Sequence, residues 1–361
     1  MCKRLTIVAY LGNEALHANQ FFTGLGMLNH NGLITAILKR ASNQIQGKCY
    51  IECLIEDKKV IFEFHDRAGY VEKDKYEWCD FYVKRSVTQE MVTQYPKIIP
   101  WGLNFYITSV HDFAFRRSLL KPTLRAAISN YLMSSSRFSK ILNSAKLSEI
   151  LKIKHAAYTA RFENFQQKPF MAKHPVIVFS PQLWDPERVA DDKRKEDRLR
   201  LNNQRIDFVK ALKKYFPSLY AGGVEDSALA RKICPDLILS SKSTHKINYI
   251  KGLTKASIGI STPGLVDSIS WKFGEYLLFS KAIVSNDLSH HILHASVSCG
   301  VNYSMYSSTE TMLHRVEELI SDKEFRFYVM NNNYEYAQNF LRPDKQLCLA
   351  LQKIGFNIEV E

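Results

Sequence analysis

The chain has 361 residues, of which 46% are hydrophobic and 24% are charged, a balance typical of soluble globular proteins and not of disordered or fibrous chains. At roughly 150 residues per domain, this length predicts two domains, each large enough to bury its own core. No stretch approaches the ~20 apolar residues that a membrane-spanning helix requires.

Short apolar runs in the first half predict a sheet. Leu5–Leu11 is expected to be a buried strand, and another strand is expected at Leu33–Leu38, after a turn at Gly24-Leu25-Gly26. Apolar and polar residues alternate on either side of Asp57-Lys58, which predicts a hairpin. Two more strands are predicted at Asp80–Lys84 and Lys97–Ile99.

The segment from Phe113 to Lys173 contains twelve basic residues and two acidic ones, so it supplies most of the formal net charge of +13. Leucine and isoleucine recur in it at helical spacing, which predicts basic amphipathic helices. Such a surface suits an anionic membrane face or an anionic ligand. The alternative is a pair of core helices whose solvated faces are basic.

Strands and helices alternate in the second half, after a proline-marked boundary at Lys173-His174-Pro175. This alternation predicts βαβ units and a parallel sheet, whose ligands bind at the carboxyl ends of the strands. A charged loop is expected over Asp185–Arg200. Strands are predicted at Val176–Phe179, Leu219–Gly222, Leu237–Leu239, Ala256–Ile260 and Ala282–Val284. Helices are predicted at Asn203–Tyr215, Ala228–Ile233, Trp271–Phe279, Ser308–Ile320, Glu324–Phe340 and Pro343–Ile354.

The segment Ser261–Val284 gives the sharpest local signal, because a strand, a loop containing Gly264 and the start of a helix follow one another. Loop N–H groups and the positive end of a helix dipole favour a phosphate. Lys272 adds a point charge for a diphosphate, and the Glu275 carboxylate can accept two hydrogen bonds from a ribose diol. The alternative is a structural crossover with a helix-capping acid.

This segment resembles the donor-site signature of the GT-B glycosyltransferases, in which a Glu-x7-Glu motif precedes a short strand. Glu275 matches the second acid, Lys281-Ala282-Ile283-Val284 matches the strand, and Asp267 stands where the first glutamate is expected. The resemblance implies an α/β fold of GT-B architecture, with two Rossmann-like domains facing one another across a cleft.

The sequence is also similar, more widely, to the bacterial exostosin-like glycosyltransferases of surface-polysaccharide synthesis. Short blocks that resemble theirs follow in order along nearly the whole chain: Cys79–Ser86, Pro100–Asn104, Leu183–Pro186, Asn202–Arg205, Gly222-Gly223 and Leu341–Asp344.

The resemblance implies donor-binding roles for several residues. Glu275 corresponds to the ribose-binding acid, and Lys272 and Arg205 are candidate diphosphate ligands. Gly222-Gly223 resembles the glycine-rich turn that lets the donor approach the backbone closely, although an ordinary turn is the alternative.

The catalytic base is expected from the first domain. Asp66 follows a predicted strand, so its carboxylate could deprotonate an acceptor hydroxyl; the alternative is that Asp66 caps the following turn. Asp80 and His111 are weaker candidates. Lys84 and Arg85 are expected to contact a phosphate or an acidic acceptor, or else to end a solvated strand.

Neither a metal nor a cofactor is expected. The chain has no Asp-x-Asp motif, and no carboxylate completes a metal site with His290, His291 and His294. It also lacks the G-x-S-x-G, P-loop and G-x-G-x-x-G motifs. Its seven cysteines are scattered, with no C-x-x-C, so a reducing cytoplasm is expected.

The resemblance implies a metal-independent glycosyltransferase that moves a sugar from a nucleotide sugar to a hydroxyl of a cell-surface glycan precursor (lipopolysaccharide, O-antigen or capsule). The expected units are residues 1–173 for the acceptor, residues 174–340 for the donor, and a C-terminal helix, residues 341–361, packing back on the first domain. The expected partners are a nucleotide sugar, a glycan or lipid-linked acceptor and the anionic inner leaflet, but no nucleic acid. The protein is expected in the cytoplasm, peripheral at the inner membrane.

Two other functions stay open. A nucleotide-sugar epimerase of the same fold would act on the donor without any acceptor. A non-catalytic protein that binds anionic membranes or nucleic acid would need the basic segment but not Glu275.

Overall fold

The computed structural model describes residues 4–11, 17–40, 49–109, 111, 161–240 and 246–360. Most of the predicted basic amphipathic segment, residues 112–160, lies outside the described residues. Of the helices in the described ranges, none is both long and apolar enough to cross a membrane.

The first sheet contains six strands from the described part of the chain, in the order β2-β1-β3-β4-β5-β6. Their bounds are Leu5–Leu11 (β1), Ile34–Arg40 (β2), Tyr50–Ile55 (β3), Lys58–Glu63 (β4), Phe81–Lys84 (β5) and Ile98–Pro100 (β6). The predicted hairpin is confirmed, because β3 pairs antiparallel with β4 and Ile55 lies opposite Lys58. β3 is also antiparallel to β1, and the remaining pairs are parallel.

The predicted turn at Gly24-Leu25-Gly26 is wrong, because these residues lie inside α1, Asn19–His30. Gly24 is needed for close packing: a Cβ atom there would lie 2.2 Å from the Pro343 carbonyl oxygen. The partner of α1 is α10, Pro343–Ile354. Leu347 and Leu351 of α10 enter the core of the first sheet. Two short helices, α2 (Lys73–Trp78) and α3 (Gln89–Gln94), complete this unit.

The second sheet is wholly parallel and contains five strands of the described chain, in the order β11-β10-β9-β7-β8. Their bounds are Val176–Phe179 (β7), Tyr220–Gly222 (β8), Ala256–Ile260 (β9), Ala282–Ser285 (β10) and Tyr303–Met305 (β11). Every residue of β9 and β10 is buried, which explains their apolar sequences. The sequence analysis did not predict β11.

Helices cover this sheet: α4 (Asp192–Tyr215), α5 (Ala228–Ile233), α6 (Lys246–Lys255), α7 (Trp271–Leu278), α8 (Thr309–Ser321) and α9 (Lys323–Tyr336). The charged loop predicted over Asp185–Arg200 is wrong beyond Asp191, whose side chain caps α4 by accepting a hydrogen bond from the Arg194 N–H. Leu237–Leu239 is not a strand either, since it holds the end of a short 3₁₀ turn and one bridge between Ile238 and Val224.

The predicted α/β fold with two facing units is confirmed. Past β6, the chain leaves the first core, and Leu103, Phe105 and Ile107 pack with Phe273 of α7 in a core of the second unit. A segment of the second unit also contacts the first unit, because the Ile292 N–H donates to the Val87 carbonyl. The units therefore meet along one side of a cleft.

Candidate functional site

A cavity of about 340 Å³ lies between the two units. The second unit contributes Phe179, the last residue of β7, together with residues 180–182 after it, and Thr262, which follows β9. The chain passes from β7 to β8 on one side and then to β9 on the other, so the cavity lies where the strand order reverses. Open α/β sheets bind their ligands at such a point. Asp66, Arg85 and His17 of the first unit form the facing wall.

Glu275 and Lys272, the residues predicted to bind the donor, lie together in this cavity. Lys272 Nζ is 3.8 Å from Glu275 Oε2, and it is also 3.8 Å from Glu225 Oε1. Tyr249 Oη donates to Glu275 Oε2 over 2.5 Å, and Lys272 lies above the Tyr249 ring. Burial and the neighbouring carboxylate raise the pKa of Tyr249, so the phenol stays protonated and donates.

The loop before α7 brings backbone groups to the same place. Gly264 lines the cavity, and its N–H donates to the Ser268 carbonyl, closing a tight turn. A Cβ atom on Gly264 would lie 2.4 Å from Ser268 Oγ. Val266 and Asp267 follow with φ of 55° each, in the left-handed region. As a result, Ser270, Trp271 and Lys272 at the start of α7 face the cavity, where the helix dipole favours an anion.

Arg205 lines the cavity but is 6% exposed, and its guanidinium is bonded to the surrounding loops. It donates to Thr262 Oγ1, to the Gln182 carbonyl and to the Pro263 carbonyl. Burial lowers the pKa of Arg205 to about 10, so it stays charged at neutral pH. It therefore fixes the loops after β7 and β9 relative to one another, and its predicted diphosphate contact stays a prediction.

The wall from the first unit carries an ion pair. Asp66 accepts from Arg85, and Arg85 Nη2 also donates to the Ile269 carbonyl across the cleft over 3.2 Å. His17 packs its ring edge-on against Trp271, with the ring centres 5.5 Å apart. The sequence analysis missed His17 and Trp271. A histidine close to the start of a helix that follows β1 was the available signal for His17.

Several predicted residues lie elsewhere. Lys84 is completely buried and ion-paired with Glu63, so it does not end a solvated strand. It also lies outside the cavity lining. Burial raises the pKa of Glu63 and lowers that of Lys84. Gly222 is the last residue of β8 and Gly223 follows it, and neither lines the cavity. A Cβ on Gly222 would meet the Phe179 carbonyl at 2.2 Å, so close strand packing explains that glycine.

The two weaker candidates for the base also lie outside the cavity. Asp80 accepts a hydrogen bond from the Lys59 N–H, and His111 stacks on His30. Neither lines the cavity between the units.

The sequence analysis found no carboxylate to complete a metal site with the histidines, and the structure corrects this. Asp267 lies far from them in sequence, but the left-handed turn brings its Oδ2 to 2.9 Å from His290 Nε2. Together with His291, the ligand atoms lie within 4.8 Å of one another. His294 points elsewhere, toward the carbonyls of Trp101 and Phe340.

No protein-family model matches this chain, and no curated protein is significantly similar to it. Among solved structures, the C-terminal domain of a glycosyl transferase group 1 family protein (LpcC) from Francisella tularensis has 13% sequence identity and a TM-score of 0.34. That match covers 50% of this chain and 97% of that one.

Two further similar structures contain a nucleotide. Anabaena HepE, in complex with UDP and glucose, is 12% identical at a TM-score of 0.38, with 78% of this chain and 68% of that one covered. Staphylococcal MnaA (S. aureus) with UDP is 11% identical at 0.35, with 99% and 98% covered.

Proposed function

We propose that the protein is a glycosyltransferase that moves a sugar from a nucleotide-sugar donor to an acceptor hydroxyl. One observation supports this above all. Glu275, Lys272 and the start of α7 meet where the strand order of the second sheet reverses, and Asp66 of the first unit faces them across the same cavity. An acid for a diol, a cation for a diphosphate and a base for an acceptor are thus assembled around one space.

The second unit would bind the donor. The Glu275 carboxylate, held by Tyr249 and close to Lys272, would accept hydrogen bonds from the ribose hydroxyls. Lys272 and the N–H groups at the start of α7 would bind the diphosphate, whose negative charge grows as the sugar leaves. Lys272 Nζ lies 3.8 Å from each of two carboxylates, longer than a direct hydrogen bond, so a phosphate oxygen can compete for it.

The first unit would provide the base. Asp66 is our candidate, because its carboxylate lines the cavity and its ion pair with Arg85 holds it in one orientation. The carboxylate would take the proton of the acceptor hydroxyl as that oxygen attacks the anomeric carbon. His17 lines the same wall and is the second candidate.

The resemblance to bacterial exostosin-like glycosyltransferases supports the finer assignment. We propose a precursor of lipopolysaccharide, O-antigen or capsule as the acceptor, metal-independent hexosyl transfer, and a cytoplasmic enzyme bound peripherally to the anionic inner leaflet. The basic segment between Phe113 and Lys173 would make the membrane contact.

Acceptor dependence separates this function from its rivals. Purified protein would be incubated with a panel of UDP- and other nucleotide sugars, with and without sugar-phosphate and lipid-diphosphate acceptors, and nucleotide release and sugar products would be measured. We expect release with one donor that depends on acceptor, its loss in Glu275→Gln, and normal release in the exposed control Glu317→Gln.

Other outcomes contradict the proposal. Conversion of the sugar without acceptor would favour the epimerase. Vesicle binding by both the wild type and Glu275→Gln, with no reaction of any donor, would favour the non-catalytic membrane protein.

A further inference from the structure

A second cavity, of about 150 Å³, adjoins the first. It shares Asp66 and Leu265 with the donor cavity, so one stretch of wall separates the two spaces. Three arginines from both units line it: Arg67, which follows β4, and Arg194 and Arg198 of α4.

These arginines lie on converging surfaces. Arg194 and Arg198 are four residues apart on α4 and therefore occupy the same face of the helix. Arg67 faces them from the first unit, and all three are half-buried. Half-burial matters because a guanidinium that is shielded from water binds an anion more strongly than one at an open surface.

No carboxylate pairs with these three arginines in the described part of the chain. Arg67 stacks over the Tyr70 ring, and Arg198 donates to the Asp185 carbonyl over 2.6 Å. The side chain of Arg194 has no ion pair or hydrogen bond with a described residue.

The two carboxylates that line this cavity have other partners. Asp66 is paired with Arg85. Asp197 accepts from Arg200 and from the Val266 N–H. The histidine in the lining, His65, adds no negative charge; burial and nearby cations lower its pKa. The cavity therefore carries an excess of positive charge.

We propose that this cavity binds a phosphate group of the acceptor, so that the acceptor is a phosphorylated glycan or glycolipid. The inference rests on the proposed glycosyltransferase function. Planar guanidinium groups bind phosphate oxygens through paired hydrogen bonds. A phosphate held by Arg67 and Arg194 would place the rest of the acceptor toward the shared wall, where Asp66 meets both cavities.

Phosphate binding with the donor cavity filled tests the proposal. Inorganic phosphate would be titrated calorimetrically into the full-length protein saturated with the nucleotide that it binds best. We expect one saturable site, weakened about tenfold in Arg194→Gln and further in Arg67→Gln/Arg194→Gln. The control Lys193→Gln removes the same charge from an exposed neighbouring position of α4 and is expected to bind phosphate normally.

The nucleotide titration is a separate readout. Unchanged nucleotide affinity in the arginine variants, together with lost phosphate binding, supports the second site. Phosphate binding that is absent from the wild type, or equal in the double variant and Lys193→Gln, overturns it. If no nucleotide binds, the proposed function fails, while the phosphate titration without nucleotide still tests the arginine cavity.

Competition identifies the source of the phosphate. Displacement of bound phosphate by glucose 1-phosphate supports a soluble phosphorylated acceptor, and displacement by phosphatidic acid vesicles supports a lipid-borne one. Displacement by neither would overturn the assignment of this cavity to an acceptor.

Discussion

The charged side chains on the two walls of the cleft are paired differently. On the second-unit wall, Lys272 lies 3.8 Å from each of Glu225 and Glu275, close enough for attraction but too far for a direct hydrogen bond. On the first-unit wall, Asp66 and Arg85 are in direct contact, and Arg85 also bonds to the opposite wall.

This difference in pairing fits a different role for each wall. A loosely paired cation can exchange its partners for a phosphate at little cost, which suits a wall that binds the donor. A tightly paired carboxylate is held in one orientation, which suits a base. Variants of the second wall should therefore change affinity for the nucleotide, and variants of Asp66 should change the rate.

Asp66→Asn is expected to give the largest effect. Removing the proposed base should lower kcat about 100- to 10,000-fold, while nucleotide affinity stays within about twofold. Steady-state kinetics and calorimetry on the same preparation would measure the two quantities. Asp57→Asn, in the exposed hairpin turn, should leave both unchanged. Full activity in Asp66→Asn would transfer the role of the base to another residue, with His17→Gln as the next variant.

Gly102→Ala is expected to disturb the meeting of the two units. Gly102 has a φ of 100°, and an added Cβ would lie 2.1 Å from His294 Nδ1. The two ring nitrogens of His294 face the Trp101 and Phe340 carbonyls, which accept hydrogen bonds and belong to different units. Steric overlap and backbone strain together should lower the free energy of unfolding by about 3 kcal/mol. Denaturant unfolding would measure this free energy.

Gly69→Ala, at a glycine with open space around it, should change the free energy of unfolding by less than about 0.5 kcal/mol. Equal stability of the two variants would contradict this account.

The two units also differ in the partners of a buried lysine. Lys84 pairs with Glu63 in the first, whereas Lys281 in the second donates to the neutral oxygens of Gln167 and Ala256. Burial lowers the pKa of Lys281 to about 7, below its ordinary value of 10.5. Between these values the unfolded chain holds one more proton than the folded chain, so stability should rise with pH.

Lys281→Met removes this dependence. From pH 7 to pH 9, the wild type should gain about 2.5 kcal/mol relative to Lys281→Met. Unfolding by denaturant at several pH values would show it. Parallel curves for the two proteins would mean that Lys281 keeps its ordinary pKa.

Tyr249→Phe is expected to give the smallest effect. It removes one hydrogen bond to the Glu275 carboxylate and should weaken nucleotide binding about three- to tenfold, with kcat at saturating donor nearly unchanged. Tyr328→Phe, at a side chain that is 51% exposed, is the matched control. A hundredfold loss would mean that the phenol itself contacts the donor.

The sequence predicted those parts of the fold that depend on local patterns. β9 and β10 are short apolar runs because every residue in them is buried. The turn proposed at Gly24 failed because that glycine serves contact with Pro343, which is distant in sequence. Local patterns cannot show such a tertiary contact.

In the candidate site, too, contacts between residues close in sequence could be predicted, and contacts between distant segments could not. Lys272 and Glu275 are three residues apart on one helix, so their proximity could be predicted. The approach of Asp267 to His290, and the placement of Arg67 opposite Arg194, depend on how distant segments fold together. The complete burial of Lys84 was also not predicted. A lysine at the end of a strand is expected to be solvated unless its ion-pair partner, here Glu63, is known.

The most direct test of the central claim is nucleotide binding to the second wall. Calorimetric titration of UDP, GDP, ADP and TDP would compare the wild type with Glu275→Gln and the control Glu317→Gln. We predict that one nucleotide binds the wild type and the control equally and binds Glu275→Gln at least about tenfold more weakly. Equal binding to all three proteins, or no binding of any nucleotide, would contradict the assignment of this cavity as a nucleotide-sugar site.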